Sequence, residues 1–300
     1  KIDEQIKKKE PITFLPTYLM ETHMQDEKYQ KAKYKIILMG ILVDGRRISV
    51  ILDNIEPYFE VKLDNGPPEV QKAQIEDILE RLGRDELTTP YKKSLLSAKP
   101  FKYYQKEKSK YLRLYYLKTK NRTAAINFIR KEGFSTAHDD LNSYYRVVCR
   151  DYLTTFSNWA VMENYAKATQ VDLLKGDAFR VDIKDFKAYT GELTSDMLRD
   201  KSMSMCHDSE TWSPDGDLPR PEKPKDCIFC LGVTFQWVHD KEPLLKVCFC
   251  DYPTNARPGY LSVVCGTETN ILKAFSEVYA KLKPEFIFGF NDSDYDWPWI

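Results

Sequence analysis

The chain is 300 residues long, 42% hydrophobic and 13% aromatic, which supplies apolar material for two ordinary cores and excludes a disordered chain. Lys plus Arg and Asp plus Glu both number 45, so net charge carries no whole-chain argument for nucleic acid, and any such argument rests on local clustering. The seven cysteines, with no apolar leader before them, point to reduced thiols in a cytosolic or nuclear setting and not to secretion, and the longest apolar run, Ile36 to Val43, is far short of the roughly 20 residues that cross a bilayer.

In chain order, Lys35 to Val43 and Arg46 to Leu52 are β-rich runs joined by Asp44-Gly45, a dipeptide suited to the positive φ of a hairpin turn. A third run, Tyr58 to Leu63, follows Pro57, and the three together predict a small antiparallel sheet. Glu69 to Leu82 carries Val70, Ile75, Ile78, Leu79 and Leu82 at helical spacing. Tyr111 to Leu117 predicts another strand, and Arg122 to Lys131 a helix stopped by Gly133. Asp139, Asp140 and Arg146 to Phe156 continue a compact α+β unit. The charged stretch Lys167 to Asp200, with Gly176 and Gly191, contains the expected passage between domains, so the division is 1–175 and 176–300.

Beyond it, Ser202 to Asp208 alternates in character, Cys227 to Val238 and Leu244 to Cys250 form a hairpin across His239 to Pro243, and Leu261 to Cys265 is a further strand. Thr267 to Lys283 places Ile271, Leu272, Phe275, Val278, Tyr279 and Leu282 on one helical face, Pro284 stops it, and Phe286 to Phe290 is the next strand. The order β-β-β-α-β matches a ribonuclease H-like fold whose first and fourth strands are parallel neighbours. The expected fold class is therefore mixed α/β and α+β, a β-rich amino-terminal domain followed by part of a ribonuclease H-like domain.

Asp208 and Glu210 stand two residues apart at a predicted strand end, so both side chains leave one face. Such a pair repels unless a cation joins it, and a hard divalent ion with oxygen ligands fits, whereas the plain alternative is a solvated strand end. The run Gly289 to Pro298 places Asp296 just past a strand expected beside the first. Carboxylates converging from two neighbouring strands suit two magnesium ions, one activating water and one stabilising a leaving 3′ oxygen; read alone, Asn291 to Asp296 is an Asx-rich turn.

Asp208-Ser209-Glu210-Thr211 resembles the Exo I motif of family B DNA polymerases, and Gly289 to Pro298 resembles their Exo II motif. Leu112 to Trp159 is similar to the family's amino-terminal domain, as is the phrase Glu56-Pro57-Tyr58-Phe59, so the likeness runs from about residue 35 onward. The wording Gly-Phe-Asn-Asp-Ser-x-Tyr-Asp-Trp-Pro is most like that of polymerases of large DNA viruses of the African swine fever virus type. The resemblance implies a DNA-directed DNA polymerase with a 3′-to-5′ proofreading exonuclease, in which Asp208, Glu210 and Asp296 bind two Mg2+ or Mn2+ ions and act catalytically. Asn291 and Tyr295 would line the single-stranded 3′ end.

The implied partners are primer-template DNA and deoxynucleotides bound by a palm, with room for a processivity factor, at a nuclear or cytoplasmic viral replication site. Two positions depart from the motif, Ser209 where the family has an apolar residue and His207 where it has an aromatic. Neither the third exonuclease motif, Tyr-x-x-x-Asp, nor a palm motif is expected within these residues, so the chain reads as a fragment with little nuclease activity of its own. Two rivals stand beside this reading: a free-standing ribonuclease H-like nuclease, and a nuclease-dead module that binds nucleic acid or acts as a scaffold.

From Tyr91 to Arg130 twelve basic residues face one acid, Glu107, interleaved with aromatics, which suits phosphate neutralisation and base stacking. Lys102, Lys106, Lys108 and Lys110 are its candidate DNA contacts, against the alternative of a solvated face with core tyrosines. Cys227-x-x-Cys230 with Cys248-x-Cys250 invites a zinc reading, but three-residue spacing in a strand turns Cys227 and Cys230 to opposite faces, so structural thiols are expected. His207 is expected at the surface.

Overall fold

The computed structural model describes residues 2–26, 31–100, 107–168, 177–198, 202–255 and 257–300. Contacts divide the chain into two units, Lys1–Leu42 with Arg46–Thr190, and Val43–Gly45 with Gly191–Ile300.

The first unit runs through α1 (Ile2–Lys8), β1 (Ile12–Asp26), β2 (Lys31–Leu42), β3 (Arg47–Asp53), β4 (Tyr58–Lys62), α2 (Pro68–Leu82), β5 (Lys92–Ala98), β6 (Ser109–Tyr115), α3 (Thr119–Lys131), β7 (Thr136–Ala137), α4 (Tyr144–Tyr152), β8 (Ala160–Met162), β9 (Ala166–Lys167), β10 (Asp177–Asp182) and β11 (Phe186–Ala188). Strands β2 and β3 make the predicted hairpin, with Gly45 at φ +84° and the Leu42 N–H donating to the Arg46 carbonyl at 2.8 Å. They lie inside a seven-stranded mixed sheet, order β11-β8-β1-β2-β3-β10-β9, in which β10 runs parallel to β3.

The third predicted strand leaves that sheet. Asn54 turns through a left-handed φ of +59°, and β4 pairs with β6 and β7 in a four-stranded sheet of order β5-β6-β4-β7. Phe59, Val61, Leu112 and Leu114 there pack against Ile78 and Leu82 of α2 and Ala125, Ile126 and Ile129 of α3, the stripes that helical spacing predicts. Strand β1 carries no clear strand pattern in the sequence, because Pro16 interrupts it and its second half is polar; a bulge between Pro16 and Tyr18 absorbs the proline.

The second unit contains α5 (Ser195–Leu198), β12 (Met203–Trp212), β13 (Cys227–Trp237), β14 (Leu245–Cys250), β15 (Leu261–Val264), α6 (Glu268–Leu282), β16 (Phe286–Phe288) and α7 (Asp296–Trp299). Its five-stranded sheet has the order β15-β14-β13-β12-β16, and β12 runs parallel to β16 with Met205 opposite Ile287. Helix α6 starts where the Thr267 hydroxyl accepts from the Asn270 N–H at 3.3 Å, and ends at Lys283, whose left-handed φ of +48° precedes Pro284. Its buried Ile271 and Phe275 pack against Leu231, Val233, Phe235, Val247 and Phe249. Burying each such side chain contributes about 1.5–3 kcal/mol, so this face anchors the sheet on which the candidate acids lie. Strand β16 stops two residues earlier than predicted, and Phe290 is exposed.

Candidate functional site

Strand β12 alternates cleanly. Met203, Met205, His207 and Ser209 are buried, while Cys206, Asp208 and Glu210 are exposed. Asp208 lies opposite Gly232 and Glu210 opposite Cys230, so the two carboxylates share one face, as their spacing requires.

The segment after β16 folds back on itself. Gly289 is needed there because a Cβ would sit 2.4 Å from that of Asp292. Asn291 adopts φ +56°, and its backbone carbonyl accepts from the Tyr295 N–H at 3.1 Å, closing a backbone turn. This turn presents Tyr295, Asp296 and Trp297 to the buried side of β12. The Asp296 carboxylate accepts from the Ser209 N–H at 2.9 Å and from the Ser209 hydroxyl. The Tyr295 hydroxyl shares a 2.6 Å hydrogen bond with Thr211 Oγ1.

His207 is buried rather than at the surface, because its odd register position turns it inward. Its ring packs edge-on against Trp297 at 4.8 Å, and its Nε2 is 3.7 Å from an Asp292 carboxylate oxygen that also accepts from Trp297 Nε1 at 3.2 Å. His207, Ser209 and Thr211 of β12 therefore meet residues of the 291–299 segment, His207 two of them and the others one each.

The acids are thus divided. Asp208 and Glu210 leave one face of the strand, and Asp296 is held from the other by Ser209. Among the described residues no group of three or more His, Cys, Asp and Glu side chains stands together to hold a metal ion. Both Ser209 donors reach the same Asp296 oxygen, Oδ1.

The cysteines also differ from expectation. A bulge between Glu210 and Thr211 in the β12–β13 ladder pairs Cys227 with Trp212 and Cys230 with Glu210, so both thiols share a face despite their three-residue spacing. They build no zinc cluster among the described residues.

In the basic segment, Lys102 and Lys106 lie outside the described residues. Lys108 is exposed, and Lys110 donates to the Gln71 side-chain oxygen at 2.8 Å. Arg113 pairs with buried Glu60 at 2.6 Å, and buried Arg122 donates to the Tyr58 carbonyl at 2.6 Å. Tyr111 and Tyr116 are buried and Phe128 packs on the helix-covered core, so these three rings are committed to the fold.

Residues 178–300 match the family profile described as DNA polymerase family B, exonuclease domain. This part of the chain is similar to the exonuclease domain of family B DNA polymerases. It is 28% identical over 291 residues to the protein named DNA polymerase beta of African swine fever virus isolate Pig/Kenya/KEN-50/1950, covering 96% of this chain. The corresponding protein of strain Badajoz 1971 Vero-adapted is 26% identical over the same length. The chain spans 23% of the length of either relative. The fold is similar to that of the family B DNA polymerase from the archaeon Pyrobaculum calidifontis, with a TM-score of 0.60 at 16% identity, covering 96% of this chain and 31% of that one. The motif positions Asp208, Glu210 and Asp296 all fall inside the exonuclease match. The family's wording identifies these acids, but the role of Ser209 as the partner of Asp296 has no signal beyond its departure from the family pattern.

Proposed function

We propose that this chain is the amino-terminal part of a DNA-directed DNA polymerase, comprising an amino-terminal domain over about 1–175 and the first half of a ribonuclease H-like 3′-to-5′ exonuclease domain over about 176–300. The observation that carries the reading is the family B exonuclease match over 178–300, with Asp208 and Glu210 exposed together on one face of a central strand. The parallel pairing of β12 with β16 supports the ribonuclease H-like assignment. Nucleotidyl transfer belongs to the longer protein, as do deoxynucleotide binding and any processivity factor. Its working place is a replication site in the cytoplasm or nucleus; among the described residues no helix is long and apolar enough to cross a membrane.

The proofreading reading assigns Mg2+ or Mn2+ to the domain, two ions in the complete site, with Asp208 and Glu210 as the exposed ligands in this chain. Asp296 is the third ligand, its Oδ1 accepting from Ser209. Asn291 and Tyr295 border the path of a single-stranded 3′ end. Lys102, Lys106, Lys108 and Lys110 contribute phosphate contacts, and reversing their charges is expected to weaken DNA binding and flatten its salt dependence; unchanged affinity removes them from the interface.

The decisive experiment extends the chain through the third exonuclease motif and follows trimming of a 3′-labelled single strand in Mg2+. Loss of trimming in Asp208→Ala and Glu210→Ala supports the assignment, and trimming indifferent to both overturns it. The Ser209–Asp296 pairing favours a second reading, a nucleic-acid-binding module without nuclease activity. Titration of Mn2+ into the same extended chain separates the two, because a dead site does not take up two ions. A downstream sequence without palm motifs would instead indicate a free-standing nuclease.

A further inference from the structure

The even-numbered face of the second unit's sheet carries thiols that the nuclease reading leaves unused. In the β13–β14 ladder Cys230 lies opposite Cys250, and Gly232 lies opposite Cys248. Cys230 and Cys248 are therefore diagonal neighbours, and Gly232, without a side chain, leaves Cys248 room to lean toward Cys230. The two sulfurs are 3.3 Å apart, and both residues are half-buried. Cys250 is buried with its sulfur directed at the Val263 carbonyl at 3.7 Å, while Cys206 is exposed on the neighbouring strand.

We propose that Cys230 and Cys248 are an oxidation site, a dithiol that a peroxide converts into an intramolecular disulfide across β13 and β14. From contact at 3.3 Å the two sulfurs close by a little over 1 Å to reach an S–S bond of about 2.05 Å.

The chemistry closes on one peroxide. Cys248 sulfur attacks a peroxide oxygen, the O–O bond breaks, one oxygen leaves as water, and Cys248 becomes a sulfenic acid. Cys230 sulfur then attacks the Cys248 sulfur, the S–O bond breaks, and the second oxygen leaves as water with the Cys230 proton. Two thiols lose two electrons in total, and one peroxide gains them. Burial first, and then the neighbouring Cys248, push the Cys230 thiol up to about 12, which makes Cys230 the poorer nucleophile toward free peroxide and leaves the first attack to Cys248.

The bridge lies beside the candidate acids, since Cys230 is the register partner of Glu210. Its formation does not depend on nuclease activity, so it stands or falls separately from the proposed function.

The test exposes the purified chain to hydrogen peroxide, blocks remaining thiols with N-ethylmaleimide, and reads intact mass and linked peptides. The expected result is loss of two hydrogens, one linked peptide joining the Cys230 and Cys248 segments, and full reversal by dithiothreitol. Cys230→Ser and Cys248→Ser should each abolish the link, while Cys206→Ser and Cys250→Ser leave it, with circular dichroism checking that all four fold. Stable oxygen adducts with no linked peptide, a link that Cys250→Ser removes, or covalent dimers through Cys206 would each overturn the proposal.

Discussion

Replacing Asp296 by alanine tests whether this acid is spoken for by the fold. The change strips both Ser209 donors, the N–H at 2.9 Å and the hydroxyl, of their acceptor. Asp296 is 2% exposed and Ser209 7%, so water reaches these groups poorly. An unsatisfied buried donor costs about 1–3 kcal/mol, and with partial relaxation of the short terminal helix the pair should cost about 3 kcal/mol. At an m-value of about 2 kcal/mol/M, that lowers the urea midpoint of the second unit by about 1.5 M. Asp296→Asn keeps one acceptor oxygen and loses only charge assistance, about 1 kcal/mol, or about 0.5 M.

The assay is tryptophan fluorescence. Trp212, Trp237, Trp297 and Trp299 lie in the second unit and only Trp159 in the first, so the signal reports mainly the unit that changes. A double-mutant cycle with Ser209→Ala should show a coupling of at least about 0.5 kcal/mol. A carboxylate kept only to bind an ion, at a cost to stability, behaves oppositely when removed. An unchanged or raised midpoint in Asp296→Ala would therefore refute the Ser209 pairing.

Two further outcomes rest on the first unit. Glu60 accepts from Arg113 at 2.6 and 2.9 Å and lies 3.0 Å from His138 Nδ1; burial raises its pKa, but the bonds to His138 and Arg113 outweigh burial and hold it below its ordinary 4.5. A folded-state pKa below the unfolded value gives stability that is present above about pH 4.5 and lost as pH falls through the folded value, so Glu60→Gln should lose about 2 kcal/mol at neutral pH and show a flatter acid limb in urea titrations. An acid limb identical to that of the parent chain would remove Glu60 from that role. Gly40→Ala would put a Cβ 2.0 Å from the Leu15 carbonyl oxygen and 2.8 Å from the Phe14 ring, and because backbone cannot yield cheaply beside the β1 bulge, the thermal midpoint should drop by the equivalent of about 3 kcal/mol. A midpoint within a degree of the parent would show that this strand pair is looser than its register.

The local elements were legible wherever a single period dominated. Helix α6 carries its apolar stripe, threonine cap and proline stop within one window, and the β2–β3 hairpin is written in Asp44-Gly45. Asp208 and Glu210 share a face for the same reason, since alternation along an extended strand is a property of the backbone alone.

What the sequence by itself determined was therefore the short-range periodicity, the turn chemistry and the family wording of the two acidic motifs. Tertiary structure decided which sheet Tyr58–Lys62 joins, that a bulge returns Cys227 and Cys230 to one face, and that Asn291–Trp299 closes on the buried side of β12 so that Ser209, not Asp208 or Glu210, meets Asp296. The physical reason is common to all three. Strand partners and docking faces are chosen by contacts between residues tens of positions apart, and no pattern within one segment records which distant donor will satisfy its buried polar groups.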